Sequence, residues 1–140
     1  MQVPNSTARI LGYAGLVPFV ACAAASHGPA PWAALALAAL AAYGAVIASF
    51  LGGVHWGMGF LRGHGASGSF AWGVVPSLLA WGALVLPSSA GLLLLAATLV
   101  LALIVDRRMY PRHGLQGWLG LRLQLTTVAA LSCVVGAWAA

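Results

Sequence analysis

The chain has 140 residues, 62% of them hydrophobic and 5% charged, with a net charge of +5. A soluble domain carries roughly 25% charged residues, so this composition leaves too little polar surface to cover a water-soluble globule. The apolar runs are unbroken and rich in Ala and Leu, which also excludes a barrel built from alternating segments of about ten residues. The expected fold class is an all-α integral membrane bundle, one domain over residues 1–140, with five transmembrane helices at about 9–25, 32–58, 70–86, 90–105 and 117–138.

After a short polar lead, Arg9 opens an apolar stretch that ends at Ala25, with Pro18 in its middle. One basic residue, an apolar core and Ala23-Ala24-Ala25 also fit a cleaved signal peptide. Tyr13, Gly15 and Pro18 are less typical of a signal core, and about 17 residues suffice to span. Pro18 is tolerable there because neighbouring helices can satisfy the carbonyl it frees. Two prolines and a glycine within Ser26-His27-Gly28-Pro29-Ala30-Pro31 force a turn, and Trp32 follows at interface depth.

The second helix carries Ala41, Ala45, Ser49, Gly53 and Gly57 at four-residue spacing, a stripe of small side chains that would let another helix approach closely. His55 points roughly to the other side, where Gly44, Ala48, Gly52 and Gly59 are small as well. A helix lean on both faces fits a central place in the bundle. The polar loop Arg62–Ser69 leads to a third helix with Trp72, Trp81 and a kink-forming Pro76. Pro87-Ser88-Ser89 turns into a fourth helix of Leu, Ala and Val, expected to face lipid over much of its surface. Asp106-Arg107-Arg108-Met109-Tyr110-Pro111-Arg112-His113-Gly114 is the main charged segment, and the fifth helix then carries Arg122, Gln124, Thr126 and Thr127 near its start.

Five spans gather Arg9, Arg62, Arg107, Arg108, Arg112 and Arg122 at one end and leave the other end without Lys or Arg. The positive-inside rule then makes the amino terminus cytoplasmic and the carboxyl terminus external. Topology explains the arginines, so the basic charge does not point to nucleic acid. Arg without Lys, in an Ala- and Gly-rich chain, fits a GC-rich bacterial genome and hence a multi-pass protein of the bacterial inner membrane.

The same topology brings His55, Asp106 and Arg122 to one depth. Asp106 sits at a helix carboxyl end and Arg122 near a helix amino end, each on the wrong pole of its helix dipole by roughly 0.3–1 kcal/mol. An ion pair offsets both terms, and a cation inside hydrocarbon needs a partner or must snorkel. The expectation is that Asp106 pairs with Arg122, that His55 lies within reach, and that Trp56 and Tyr110 form walls of the cluster.

Most chemistry fails on residue supply. His55, His64 and His113 share one side without metal-ligand spacing, and Cys22 and Cys133 lack a CxxC partner and read as small apolar core residues. Haem would need a second facing histidine. Hydrolysis needs a nucleophile, a base and an orienting acid, and Asp106 is the one acid, without a serine elbow. A channel needs polar residues across the full depth, which the fourth helix lacks. No cofactor is identified and no metal is expected. A quinone or other apolar ligand needs aromatics and one or two polar groups, which His55, Trp56, Tyr110 and Arg122 could supply. The reading leans away from an enzyme towards a structural, assembly or ligand-binding protein. Its alternatives are a small-molecule-binding protein or enzyme with a site for quinone, haem or a lipid precursor, and then a minor transporter or channel. Its partner is the lipid bilayer, with a membrane-protein partner or homodimer left open.

Three stretches resemble the DUF3429 (transmembrane protein 69-like) family of small integral membrane proteins. They are Leu11-Gly12-Tyr13-Ala14-Gly15-Leu16-Val17-Pro18-Phe19, the run Tyr43 to Gly57 with its Phe50-Leu51-Gly52-Gly53-Val54-His55-Trp56-Gly57 core, and Asp106 with Leu121-Arg122-Leu123-Gln124-Leu125-Thr126. The resemblance implies a five-helix membrane protein, bacterial or mitochondrial, and keeps the first apolar stretch as a helix. It implies no reaction, substrate or cofactor.

Overall fold

Each of the five apolar stretches is helical in the computed structural model, which describes Met1–Ala140, and each is long and apolar enough to cross a membrane. The first span is made of two short helices, α1 (Ser6–Ala14) and α2 (Val17–Ala25). Then follow α3 (Trp32–Arg62), α4 (Ser67–Val85), α5 (Ser88–Met109) and α6 (Leu119–Ala139), with two 3-10 turns, Tyr110–His113 and Gln116–Trp118, between α5 and α6. There are no strands.

Local chemistry explains the broken first span. Asn5 caps α1, its side chain accepting from the Ala8 N–H at 2.9 Å. Pro18 falls in the first turn of α2, where a missing N–H removes no intrahelical bond. A carbonyl left free at the break is taken up from α3: the Tyr43 hydroxyl donates to the Gly15 carbonyl at 2.8 Å. Phe19, 2% exposed, meets the Tyr43 ring edge-on with centroids 4.9 Å apart. α2 is thereby fixed to α3, whereas α1 buries no residue at all.

α3 touches α2, α4, α5 and α6 and is the central element. At 31 residues it is about 46 Å long, more than the roughly 30 Å hydrocarbon layer, so its ends reach beyond the apolar zone. Its buried line runs through Ala36, Leu40, Gly44, Ala48, Gly52, His55 and Gly59. Gly52 faces Gly73 of α4 so closely that a Cβ on Gly52 would strike the Gly73 carbonyl, and one on Gly73 would strike the Trp56 indole. The Phe70 ring lies over Gly59.

The stripe expected from Ala45, Ser49, Gly53 and Gly57 is divided. Ala45 is buried, and Ser49 is half-buried with its hydroxyl donating to the Ala45 carbonyl at 3.0 Å. Gly53 and Gly57 face open space, where a Cβ would meet nothing within 4 Å. The reason is rotation: Gly53 follows Gly52 by one residue, a turn of about 100°, which takes it off the α4 face that Gly52 meets. The line from Gly44 to Gly59 includes a three-residue step and stays on the interface.

α5 also differs from the expectation of a lipid-facing helix. Leu92, Leu95, Thr98, Leu99, Ala102 and Asp106 are all buried, and α5 contributes three leucines to a core shared with Phe19, Leu40 and Cys133. A helix that is apolar on every side carries no periodicity to separate core from lipid. α6 closes the bundle against α5, with Gly136 making room for Leu40.

Candidate functional site

The connection between α5 and α6 builds the site. After α5 the chain winds through the Tyr110–His113 turn and reverses at Gly114, whose φ of +70° lies in the left-handed region that glycine adopts without strain. The Leu115 N–H donates to the Tyr110 carbonyl at 2.9 Å, and the Gln116–Trp118 turn feeds directly into α6. Asp106, in the last turn of α5, is thereby set against Arg122, in the first turns of α6.

Arg122 Nε donates to Asp106 Oδ2 at 2.8 Å. Nη2 lies 2.8 Å from the same oxygen without the alignment of a hydrogen bond. Asp106 Oδ1 meets His55 Nε2 of α3 at 2.8 Å, and a carboxylate acceptor places the ring proton on Nε2. Arg122 Nη1 donates to Thr126 Oγ1 at 3.0 Å, one turn further along α6. His55 and Asp106 are each 1% exposed and Arg122 is 7% exposed. Both carboxylate oxygens are occupied, and the charges of Asp106 and Arg122 cancel, which is the condition for an ion pair to survive burial. The group joins α3, α5 and α6 at a single carboxylate.

Aromatic rings enclose His55. Trp72 of α4 stands edge-on with centroids 6.3 Å away, and Tyr110 is tilted at 6.4 Å. His55 Nδ1 and Trp72 Nε1 are buried without partners.

Beside the triad is an apolar chamber of about 610 Å³, open on one side, between α1, α2, α3, α5, α6 and the connection before α6. Its sides are Leu11, Phe19, Ile47, Leu51, Leu125 and Ala129, among others. Its polar lining comes from Tyr43, Tyr110, Trp118, Arg122 and Thr126, of which Arg122 and Thr126 are bonded to each other. Trp118 Nε1 is buried and unpartnered, as is Arg122 Nη2 in the hydrogen-bonding sense.

Of the residues singled out from the sequence, His55, Asp106 and Arg122 are bonded together, and Tyr110 is 5% exposed beside them and lines the chamber. Trp56 stands apart: it is 37% exposed, donates to the Phe70 carbonyl at 3.0 Å and packs against Phe60 and Phe70. One residue after His55 is a rotation of about 100°, enough to take Trp56 off the His55 side. Thr126, Trp118 and Trp72 join the site without having been singled out. Thr126 carried a readable signal, since it lies four residues after Arg122 on one helix. Trp118 and Trp72 carried none. His64 is exposed in its loop, His27 bonds the Val135 carbonyl at 3.0 Å at the other end of the bundle, and both cysteines are free.

A family model described as "Protein of unknown function (DUF3429)" matches residues 4–138. Transmembrane protein 69 of Xenopus tropicalis is 35% identical over 133 residues, 91% of this chain and 52% of that protein. The chain therefore spans about half the length of the curated relative it matches. No solved structure is a significant match.

Proposed function

The chain belongs to the DUF3429 family, and from that premise we propose that it is a non-enzymatic, multi-pass membrane protein that binds an apolar small molecule within the bilayer. The observation that carries this reading is the chamber of about 610 Å³, with apolar sides and one buried guanidinium at its polar end. That combination, mostly apolar walls with a few convergent polar groups, is the usual make-up of a small-molecule site, and the volume falls in the customary range of about 300–1,000 Å³. Asp106 and His55 have a positioning role: they hold Arg122 in place at the chamber's end. Thr126, Trp118, Tyr110 and Tyr43 complete the polar lining.

The arginine-bearing end is the cytoplasmic end, with the amino terminus inside and the carboxyl terminus outside. Arg9, Arg62, Arg107, Arg108 and Arg112 support this orientation, since the opposite loops have no Lys or Arg. The composition supports a bacterial inner membrane as the location.

A purely structural role is the second reading, and the triad itself favours it, because it ties three helices through one carboxylate. Native mass spectrometry from mild detergent separates the two. The wild type is expected to carry a non-covalent apolar adduct, and Leu125→Trp, which fills the chamber from α6, is expected to lose it while still folding to a monodisperse protein with the wild type's helix content. A ligand-free wild type, or an adduct equally abundant in Leu125→Trp, contradicts the binding reading and leaves the structural one.

A further inference from the structure

We infer that the chamber selects an uncharged head group that accepts hydrogen bonds, a carbonyl as in an alkyl quinone or a glyceride, and rejects a carboxylate or phosphate. The inference rests on the binding reading above and adds the chemistry of the ligand.

The polar residues lining the chamber near Arg122 are Tyr110 and Thr126, whose hydroxyls both donate and accept, and two groups that only donate, the Arg122 guanidinium and the Trp118 indole. A guanidinium has five N–H groups and no acceptor, and Arg122 makes two hydrogen bonds, to Asp106 and to Thr126. Trp118 adds an indole N–H with no partner. Thr126 behaves differently from the other hydroxyl residues of its kind: Thr98, Thr127 and Ser132 donate to the carbonyl four residues earlier, whereas Thr126 Oγ1 accepts from Arg122. Its own O–H is thus not committed to the helix backbone. Donors buried without partners are costly in an apolar setting, so a ligand oxygen that accepts from them gains more here than it would at a surface.

Charge decides which kind of oxygen. Arg122 is the one charged residue lining the chamber, and Asp106, the chain's single acid, already neutralises it. The remaining arginines, Arg9, Arg62, Arg107, Arg108 and Arg112, are exposed and are not among the chamber's lining residues. An anionic head would place a second negative charge beside the Asp106 carboxylate with no second cation to match it. In a medium of low dielectric an unmatched charge is strongly disfavoured. A carbonyl takes the free N–H groups without adding charge, and an attached chain fills the apolar sides.

The test is thermal stabilisation of the purified full-length protein in mild detergent, titrated with decylubiquinone, mono-olein and ionised oleate. A ligand bound to the folded state raises the melting temperature by an amount that grows with the logarithm of its concentration over its Kd. The expected result is a saturable rise with decylubiquinone or mono-olein, whichever is the better probe naming the source, and none with oleate. Trp118→Phe removes one donor without touching the ion pair and should weaken the carbonyl probe roughly three- to tenfold. Asp106→Asn leaves Arg122 unneutralised and should turn the preference to oleate. Oleate binding the wild type more tightly than either neutral probe overturns this inference and leaves the binding reading intact. Unchanged affinity in Trp118→Phe overturns the donor assignment. No stabilisation by any of the three overturns both readings.

Discussion

Asp106 has one oxygen on His55 and the other on Arg122, each at 2.8 Å, and no second acid exists to replace it. Removing one partner of a buried ion pair leaves an uncompensated charge, typically a loss of about 3–5 kcal/mol. Asp106→Asn and Arg122→Gln should therefore each destabilise strongly, while the double variant should lose less than their sum. The coupling should lie in the range of roughly 0.5–3 kcal/mol found for contacting groups, read from unfolding in detergent. Additive effects would mean that the two side chains do not act as a pair. This pairing was legible in the sequence because Asp106 and Arg122 each sat on the unfavourable pole of a helix and topology put both at one depth. Trp118 was not legible, since its place depends on a short 3-10 turn and on Gly114 reversing the chain.

At the scale of elements, α3 and α4 meet backbone to backbone at Gly52 and Gly73. Gly52→Ala puts a methyl into the Gly73 carbonyl and is expected to lower stability by about 1–3 kcal/mol, the usual range for overpacking. Gly53→Ala has open space around it and gains helix propensity, so it should be neutral or slightly stabilising in the same bilayer-mimicking detergent. Equal losses at both positions would show that Gly53 is in contact with something the isolated chain does not contain. The two glycines are adjacent and chemically identical, so composition could not tell them apart. Their difference comes from the 3.6-residue period, which turns Gly53 about 100° away from Gly52 and off the contact with α4. α5 shows the opposite limit, where uniform apolarity hid a helix of the core.

For the whole molecule, five helices are long and apolar enough to cross a membrane, and the proposed orientation has the amino terminus inside and the carboxyl terminus outside. A thiol introduced as Ser88→Cys, at the start of α5, should react with a membrane-impermeant maleimide on intact cells, and His64→Cys, between α3 and α4, should not. The native Cys22 and Cys133 lie within spans and should stay silent. The reverse pattern would invert the orientation. The presence of five long apolar helices was legible because hydrocarbon demands such helices. The chamber was not, because it arises from packing: α1 is held by its Asn5 cap, by Tyr13 bonding Gln124 and by Gln2 donating to the Gly114 carbonyl, yet buries nothing of its own. The space beneath such a loosely packed half-helix is a property of the assembled bundle.

Whether this space seats an apolar molecule can be read by photolabelling with an uncharged alkyl probe bearing a diazirine, followed by peptide mapping. Labels should concentrate on Ala8, Leu11, Leu115, Trp118, Leu121 and Leu125, be displaced by excess unlabelled probe and be absent in Leu125→Trp. Labels spread evenly over outward-facing residues such as Leu78, Trp81 and Val85, and not displaced by competitor, would contradict a seat in the chamber.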